Sequence, residues 1–338
     1  MRTKFGHQLR SAPARLYVGA VNQALHAFAR VRYAMPDANP SRFDLRLERD
    51  VVYGSASVPE HRLDAYIPTR APRPLPVVMY VHGGGFRMLS KDTHRVMALA
   101  IARAGYLLFN IDYRLGPRHR YPAPLEDACR ALLWVKDNCA RYGGDPARIA
   151  LAGESAGGNL VTALAVASSW CRPEPFARSV FDANVALRAI VATYGFLDLG
   201  HTGEYLKHPR MSRWTKAMLL DAARSYVGHD VHGAAQAYPL TSPLRIIEGG
   251  APERPLPPFF ASVGTRDPLF RCSKRLKTAL DKLGTECELH VSPGELHGYD
   301  ALVWRPNARA KWRAVHAFLG RTLAPPPVEE RRDVRAAV

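Results

Sequence analysis

The sequence predicts an α/β protein whose mostly parallel, twisted sheet is covered by helices on both faces. Two observations support this prediction. Short runs rich in β-branched or aromatic residues alternate with stretches of helical periodicity, and most of these runs are apolar on both sides. Strands of that kind are typical of parallel sheets buried on both faces. The chain has 338 residues, of which 47% are hydrophobic and 23% charged, so it can bury the core that this architecture needs.

The first elements lie before the alternating part of the chain. Residues 16–31 carry apolar side chains at helical spacings of three and four, which predicts an amphipathic helix that ends near Pro36. Two strands are expected at 43–52 and 62–67, followed by a proline-punctuated loop at 68–76. The later predicted strands are 76–81, 106–112, 148–153, 187–194, 258–264 and 286–291. The predicted helices are 125–141, 159–170, 272–283 and 308–323.

The segment 198–250 interrupts the alternation, because it has no strand pattern and is helical over 215–227. We expect it to be an insertion that forms a helical cap together with the N-terminal region, 1–40. Open α/β sheets bind ligands at the carboxyl ends of their strands, and the cap would lie over that edge. The core is then divided into 41–197 and 251–324, and the proline-rich, charged tail, 325–338, is predicted to be disordered.

The charge balance is strongly basic, with 47 Lys and Arg against 30 Asp and Glu and a formal net charge of +17. These cations are scattered and form no block or stripe, so no nucleic-acid partner is expected. The charge and the amphipathic first helix leave open a peripheral contact with a membrane surface, and an oligomer is also possible.

The five cysteines include no C-x-x-C pair. A reduced, cytoplasmic location is therefore predicted, and neither a metal nor another cofactor is expected. No apolar run approaches the roughly 18 residues of a membrane span.

The most informative motif is Gly153-Glu154-Ser155-Ala156-Gly157, which lies directly between a predicted strand and a predicted helix. In this context the G-x-S-x-G pattern is typical of a nucleophile elbow. The glycines permit a turn so sharp that larger side chains two residues from the serine would collide. The turn lifts the serine hydroxyl clear of the sheet and directs a helix N-terminus at negative charge developing on a substrate. Ser155 is therefore the predicted nucleophile.

A run of glycines, His82-Gly83-Gly84-Gly85, follows the strand predicted at 76–81. Consecutive glycines leave backbone N–H groups accessible to a ligand, and the Gly-Lys-Ser/Thr ending of a phosphate loop is absent. An oxyanion hole is the better interpretation, and the N–H of Ala156, directly after the nucleophile, would complete it. The His82 ring is expected to hold the loop rather than to react.

A nucleophilic serine needs a base, and the base needs an orienting carboxylate; after a nucleophile elbow the chain order is serine, acid, histidine. Asp267 and His297 follow the last two predicted strands, at the same sheet edge as Ser155. We predict Asp267 as the acid and His297 as the base. The alternatives are Asp198 and Asp300 for the acid and His290 for the base.

Taken together, these motifs resemble the hormone-sensitive-lipase family of α/β-hydrolases, which carries HGGG and G-D/E-S-A-G-G motifs. The resemblance extends over about 77–318. The matching stretches are His82 to Phe86, Asp112-Tyr113-Arg114-Leu115, Tyr121 to Asp127, Gly153 to Asn159, Asp267-Pro268-Leu269 and His297-Gly298.

The resemblance implies an α/β-hydrolase fold with a helical cap, and an oxyanion hole formed by Gly84, Gly85 and Ala156. Glu154 stands where the family more often has aspartate, and the cap segments match no motif. The implied activity is that of a serine-dependent carboxylic ester hydrolase, which acts through an acyl-enzyme on short-to-medium acyl esters of small molecules.

Lactone or amide hydrolysis by the same three residues stays open. The alternative from another class is a non-catalytic receptor on this fold. Such receptors lack the catalytic histidine, whereas His297 is present here.

Overall fold

The computed structural model describes residues 12–34, 38–207 and 211–325 and contains one eight-stranded sheet. The strands are β1 (Leu45–Val52), β2 (Arg62–Pro68), β3 (Leu75–Val81), β4 (Leu107–Ile111), β5 (Gly144–Glu154), β6 (Leu187–Thr193), β7 (Phe259–Gly264) and β8 (Cys287–Ser292). Their order is β1-β2-β4-β3-β5-β6-β7-β8. The pairs β1–β2 and β2–β4 are antiparallel, and every later pair is parallel. The predicted mostly parallel sheet is confirmed.

Helices surround this sheet. They are α1 (Ala12–Ala34), α2 (Arg95–Ala102), α3 (Ala123–Asn138), α4 (Ala156–Ser169), α5 (Pro175–Ala183), α6 (Thr202–Tyr205), α7 (Arg213–Val227), α8 (Val231–Ala237), α9 (Pro243–Gly249), α10 (Phe270–Lys282) and α11 (Pro306–Thr322). The sequence-based prediction lacks α2 and α5, and within 198–250 it gives only the helix that corresponds to α7, so α6, α8 and α9 are also absent from it. Six consecutive residues of α2 are buried, so the helix has no amphipathic period. A proline starts the short α5, and prolines also mark loops.

Side chains of the central strands divide between two cores, one on each face of the sheet. In β3, Val77 and Met79 face the core that α3, α4 and α10 cover, whereas Val78 and Tyr80 face the core that α2 and α11 cover. Both faces of the sheet are therefore removed from water, as the continuous apolar runs predict.

The segment between β6 and β7 contains α6 to α9 and no strand, as predicted for 198–250. Its last helix, α9, packs against α4 and α10 on one face of the sheet. Its longest helix, α7, contributes residues to the cavity described below.

The N-terminal helix α1 meets the loop that follows β3 through polar contacts. Asn22 Oδ1 accepts a hydrogen bond from Leu89 N at 2.9 Å, and Tyr33 Oη donates to Thr93 O at 3.3 Å. Two of its apolar side chains, Phe28 and Val31, are 68% and 64% exposed. Residues 1–11, 35–37, 208–210 and 326–338, including nearly all of the predicted tail, lie outside the described part of the chain.

The same loop also carries a buried cation. The Lys91 side chain is 2% exposed, and its Nζ lies 2.8 Å from Asp50 Oδ1 and 2.9 Å from Asp64 Oδ1. The Asp64 carboxylate on β2 is fully buried, with Arg49 Nε at 3.7 Å as a second cation. A buried carboxylate that loses its counter-ion is strongly destabilised, so Lys91 should matter to stability.

We expect Lys91→Met to lower the free energy of unfolding by about 3 kcal/mol, the lower end of the range for breaking a buried ion pair, because Arg49 remains near Asp64. Urea denaturation would measure the loss. The control is Lys277→Met, which breaks an exposed ion pair with Asp281 within α10 and should leave the midpoint nearly unchanged. Equal effects from the two variants would contradict the assignment.

Candidate active site

Ser155 occupies the turn between β5 and α4 in a backbone conformation that is rare for a residue with a side chain. Its φ is 55° and its ψ is −113°. The neighbouring segment holds it there, because Ser155 N donates to Thr193 O at 3.0 Å and Ser155 O accepts from Phe196 N at 3.1 Å. Strain of this kind persists only where the surrounding structure enforces it, and it often marks a functional residue.

The flanking glycines are required because the backbone packs too closely for side chains. A Cβ on Gly157 would lie 2.0 Å from the carbonyl oxygen of Val81, and a Cβ on Gly153 would lie 2.7 Å from the carbonyl carbon of Gly157. Both distances are shorter than any real contact of this kind. The structure thus supplies the steric reason that the G-x-S-x-G pattern suggests.

Ser155, His297 and Asp267 form one chain of hydrogen bonds. The Ser155 Oγ to His297 Nε2 distance is 2.9 Å, and the His297 Nδ1 to Asp267 Oδ2 distance is also 2.9 Å. The other carboxylate oxygen of Asp267 accepts from Leu269 N at 2.7 Å. A carboxylate can only accept, so Nδ1 carries the proton and Nε2 is free to accept from the serine hydroxyl.

The protonation of His297 is set by opposing effects. Burial lowers its pKa, but the charge of Asp267 and its hydrogen bond outweigh burial, so the net pKa is raised above its ordinary value. The Tyr194 ring packs against the imidazole with a centroid distance of 4.6 Å. Tyr194 is not among the site residues predicted from the sequence, although its position directly after β6 could have indicated it.

The alternative acids have other partners. Asp198 accepts from Arg275 at 2.8 Å within an ionic cluster that includes Arg245. Asp300 accepts from Lys311 Nζ at 2.8 Å and from the Tyr194 hydroxyl. The alternative base, His290, lies within β8.

The glycine loop after β3 faces the same space as the serine. Gly84 and Gly85 have φ of 108° and 61°, a region that favours glycine, and a Cβ on Gly84 would lie 2.0 Å from Met88 O. Within the described chain, their amides donate no hydrogen bond to another protein group. Both glycines line one cavity with Ser155 and Ala156.

His82, at the start of this loop, is buried and does not line the cavity. Its Nδ1 lies 2.7 Å from Gly83 O, and its ring stacks on Tyr113 at a centroid distance of 4.4 Å. Burial lowers the pKa of His82 to about 3, which keeps the ring neutral. These contacts fit the structural role that the sequence suggests for it.

The cavity has a volume of about 1500 Å³ and is open to solvent. Much of its wall is apolar and flexible, and one side comes from α7. The apolar wall residues include Met88, Met97, Phe196, Trp214, Met218 and Leu219. No sequence motif marks them, because their shared feature is the space they face.

The glycine loop and α7 are in direct contact. The rings of Phe86 and Tyr226 stack with a centroid distance of 4.0 Å, and Arg87 forms an ion pair with Asp221. A Cβ on Gly85 would lie 3.0 Å from the Cβ of Ala222. The α7 wall of the cavity therefore packs against the glycine loop.

The carboxylate of Glu154, directly before the serine, is buried and surrounded by donors. It accepts from the Tyr80 hydroxyl and from Gly83 N, and His94 Nε2 lies 2.9 Å from Oε1. The sequence gives no signal for His94, which lies in a loop outside every motif.

In the described ranges, no group of three or more His, Cys, Asp or Glu side chains could hold a metal ion. Of the helices in the described parts of the chain, none combines the length and the apolar character needed to cross a bilayer.

Comparison with known proteins agrees with this geometry. "Carboxylesterase NlhH" of Mycobacterium tuberculosis is 33% identical over 280 residues, which cover 81% of this chain and 82% of the relative. "Esterase LipI" of the same species is 31% identical over 234 residues, which cover 66% of this chain and 65% of the relative. The crystal structure of esterase LipW from Mycobacterium marinum matches with a TM-score of 0.73 and 25% identity, covering 91% of this chain and 90% of that chain.

A family profile for the alpha/beta hydrolase fold matches residues 78–301, the stretch that contains the glycine loop, the serine turn, Asp267 and His297. Because this match covers more than half of the chain, and NlhH is similar along most of it, the chain belongs to the α/β-hydrolase fold family.

Proposed function

We propose that the protein is a serine-dependent carboxylic ester hydrolase that works through an acyl-enzyme. The observation that carries the proposal is the continuous Asp267–His297–Ser155 hydrogen-bond chain at the wall of an open cavity. The names of the relatives NlhH and LipI, a carboxylesterase and an esterase, support the same activity. The glycine loop and the G-E-S-A-G-G stretch support a place in the hormone-sensitive-lipase group of the family.

In the proposed reaction, Ser155 Oγ attacks the ester carbonyl carbon as its proton passes to His297 Nε2. Asp267 holds the imidazole in the required tautomer and stabilises the imidazolium. The amides of Gly84, Gly85 and Ala156 stabilise the oxyanion of the tetrahedral intermediate. His297 then protonates the leaving alkoxide, which leaves the acyl group on the serine. A water molecule, deprotonated by His297, releases the acid by the reverse sequence.

The apolar wall suggests where the acyl chain of the substrate lies. We assign the α7 side of the cavity, from Trp214 to Ala222, to the helical cap expected from the sequence.

The cytoplasmic location stays part of this proposal; it is supported by the five cysteines, all of which are free thiols.

The acyl preference can be tested with a panel of p-nitrophenyl esters from acetate to palmitate. We expect the highest kcat/KM for short-to-medium chains. Each methylene gains about 0.8 kcal/mol only while it is buried against the wall, and that gain ends at the open mouth, where Trp214 is 60% exposed. Turnover confined to palmitate would contradict this preference. If the protein hydrolyses none of these esters but does hydrolyse a lactone or an amide, the proposed ester hydrolysis would be replaced by that activity.

The roles of the three hydrogen-bonded residues can be tested by substitution. We expect Ser155→Ala and His297→Ala to abolish hydrolysis of p-nitrophenyl butyrate, since the first removes the nucleophile and the second removes the base. Asp267→Asn should lower kcat by about 10³–10⁴-fold, as in other triads, because the amide favours the wrong imidazole tautomer.

The matched controls are Asp198→Asn and Asp300→Asn, which alter the two alternative carboxylates. Both variants should keep far more activity than Asp267→Asn, provided that circular dichroism shows them to be folded. A loss of about 10³-fold in either control, with Asp267→Asn active, would identify a different acid.

The pH dependence follows from the raised pKa of His297. The base must be neutral to accept the serine proton, so kcat/KM should rise with pH to a plateau, with a midpoint above 6.5. Activity is expected to disappear on acidification while tryptophan fluorescence still reports a folded chain. A flat profile between about pH 5 and 8 would exclude a histidine base.

A further inference from the structure

The Glu154 carboxylate connects two segments that approach the reacting serine from different strands. Glu154 ends β5 and directly precedes Ser155, whereas Gly83 follows β3 and directly precedes Gly84. Gly83 N donates to Oε1 of Glu154, so one side chain joins the glycine loop to the serine turn. Glu154 itself is only 5% exposed, and a buried carboxylate of this kind needs a compensating charge.

His94 supplies that charge. Its Nε2 lies 2.9 Å from Glu154 Oε1, and its Nδ1 lies 3.1 Å from Ser90 O. A carbonyl oxygen only accepts hydrogen bonds, so Nδ1 carries a proton, and the approach of Nε2 to the Glu154 carboxylate favours a proton on that nitrogen as well. Thr93 Oγ1 also lies 2.9 Å from Nδ1. Because the Thr93 hydroxyl donates its hydrogen to Ser90 O, it can only accept a hydrogen bond from the ring. These contacts favour the imidazolium form of the ring.

The other groups around His94 are consistent with this charge state. Burial lowers its pKa, but the Glu154 charge and hydrogen bond outweigh burial, and Ser90 O and the charge of Asp300 add to the rise. The neighbouring His82 ring, stacked at a centroid distance of 5.4 Å, is neutral because of its own lowered pKa. Tyr80 faces the second carboxylate oxygen and donates to it.

We propose that His94 and Glu154 are positioning residues of the ester-hydrolysis site: their ion pair at the cavity wall fixes the Gly84 and Gly85 amides relative to the Ser155–Ala156 turn. The inference rests on the proposed function. An oxyanion hole is effective only when its donors are already placed where the charge develops. Because the donors of this hole lie on two separate segments, their spacing depends on whatever links the segments, and Glu154 provides such a link through Gly83 N.

The turn that holds His94 is anchored in its own right. Tyr33 Oη of α1 donates to Thr93 O and accepts from Val96 N at 2.9 Å. The N-terminal helix thus supports the side of the loop from which His94 reaches Glu154. This contact gives α1 a role in the placement of the glycine loop.

The test uses Glu154→Gln, which places an amide donor among existing donors, and His94→Leu, which removes the cation at similar volume. We expect each variant to lower kcat for p-nitrophenyl butyrate on the order of 10- to 100-fold, with KM changed by less than about twofold. This is less than the roughly 10²–10³-fold cost of deleting an oxyanion donor, because the donors are displaced and not lost. The matched control is His316→Leu, a part-buried histidine on α11 that donates to Ala100 O and should leave kcat unchanged.

A second readout separates positioning from general stability. Ser155 Oγ adds to the boron of phenylboronic acid as its proton passes to His297, which gives a tetrahedral boronate anion with an oxygen in the oxyanion hole. The inhibition constant should rise in both variants by the factor by which kcat/KM falls. If Glu154→Gln does not fold, His94→Leu tests the proposal alone.

Wild-type kcat in a folded variant would overturn the proposal, as would a fall in kcat with unchanged affinity for phenylboronic acid. A wild-type protein that neither hydrolyses esters nor binds the boronate would reject the proposed function itself. The two failures are therefore distinguishable.

Discussion

The close approach of the Gly157 backbone to the Val81 carbonyl is the constraint on which the site depends. It allows α4 to begin directly at the end of β5, with Ser155 at positive φ between them. Parallel pairing of β3 with β5 places Val81 opposite Gly153, so the residues that follow these two strands share one small volume. The parallel sheet adds the ends of β7 and β8 to the same edge, where Asp267 and His297 complete the hydrogen-bond chain.

The sequence predicts those parts of the molecule that depend on local patterns. Continuous apolar runs indicated the strands, and two glycines around Ser155 indicated the turn, since both are properties of neighbouring residues. Asp267 and His297 were predicted by their position after strands, and the structure brings both to Ser155. The contacts of Glu154 with Tyr80 and His94 could not be predicted in this way, because they join residues 74 and 60 positions apart and no periodicity records such a pairing. Helix α2 was missed for a related reason: burial on nearly all sides removes the period that identifies a helix.

Ionic contacts contribute strongly to holding the loop between β3 and α2. One side of it must stay open to substrate, so it cannot be surrounded by apolar side chains as the strands are. Lys91 secures it to Asp64 on β2, and His94 secures it to Glu154 on β5. Charged pairs of this kind require a strict geometry, and their contribution to the free energy of folding falls when either partner is displaced. They suit a segment whose amides have the positioning requirement proposed above and which lies beside an open cavity.

The contact between the glycine loop and α7 has a consequence for how such an enzyme diversifies. Phe86 and Arg87 pack against Tyr226 and Asp221, and Gly85 leaves no room for a larger neighbour at Ala222. If α7 were replaced by the corresponding helix of a relative to alter substrate choice, the new helix would make different contacts with the glycine loop. Those contacts would shift the Gly84 and Gly85 amides. With the oxyanion role proposed for these amides, selectivity and turnover are inherited together, and recombination between relatives is best made with the helix and the loop transferred as one block.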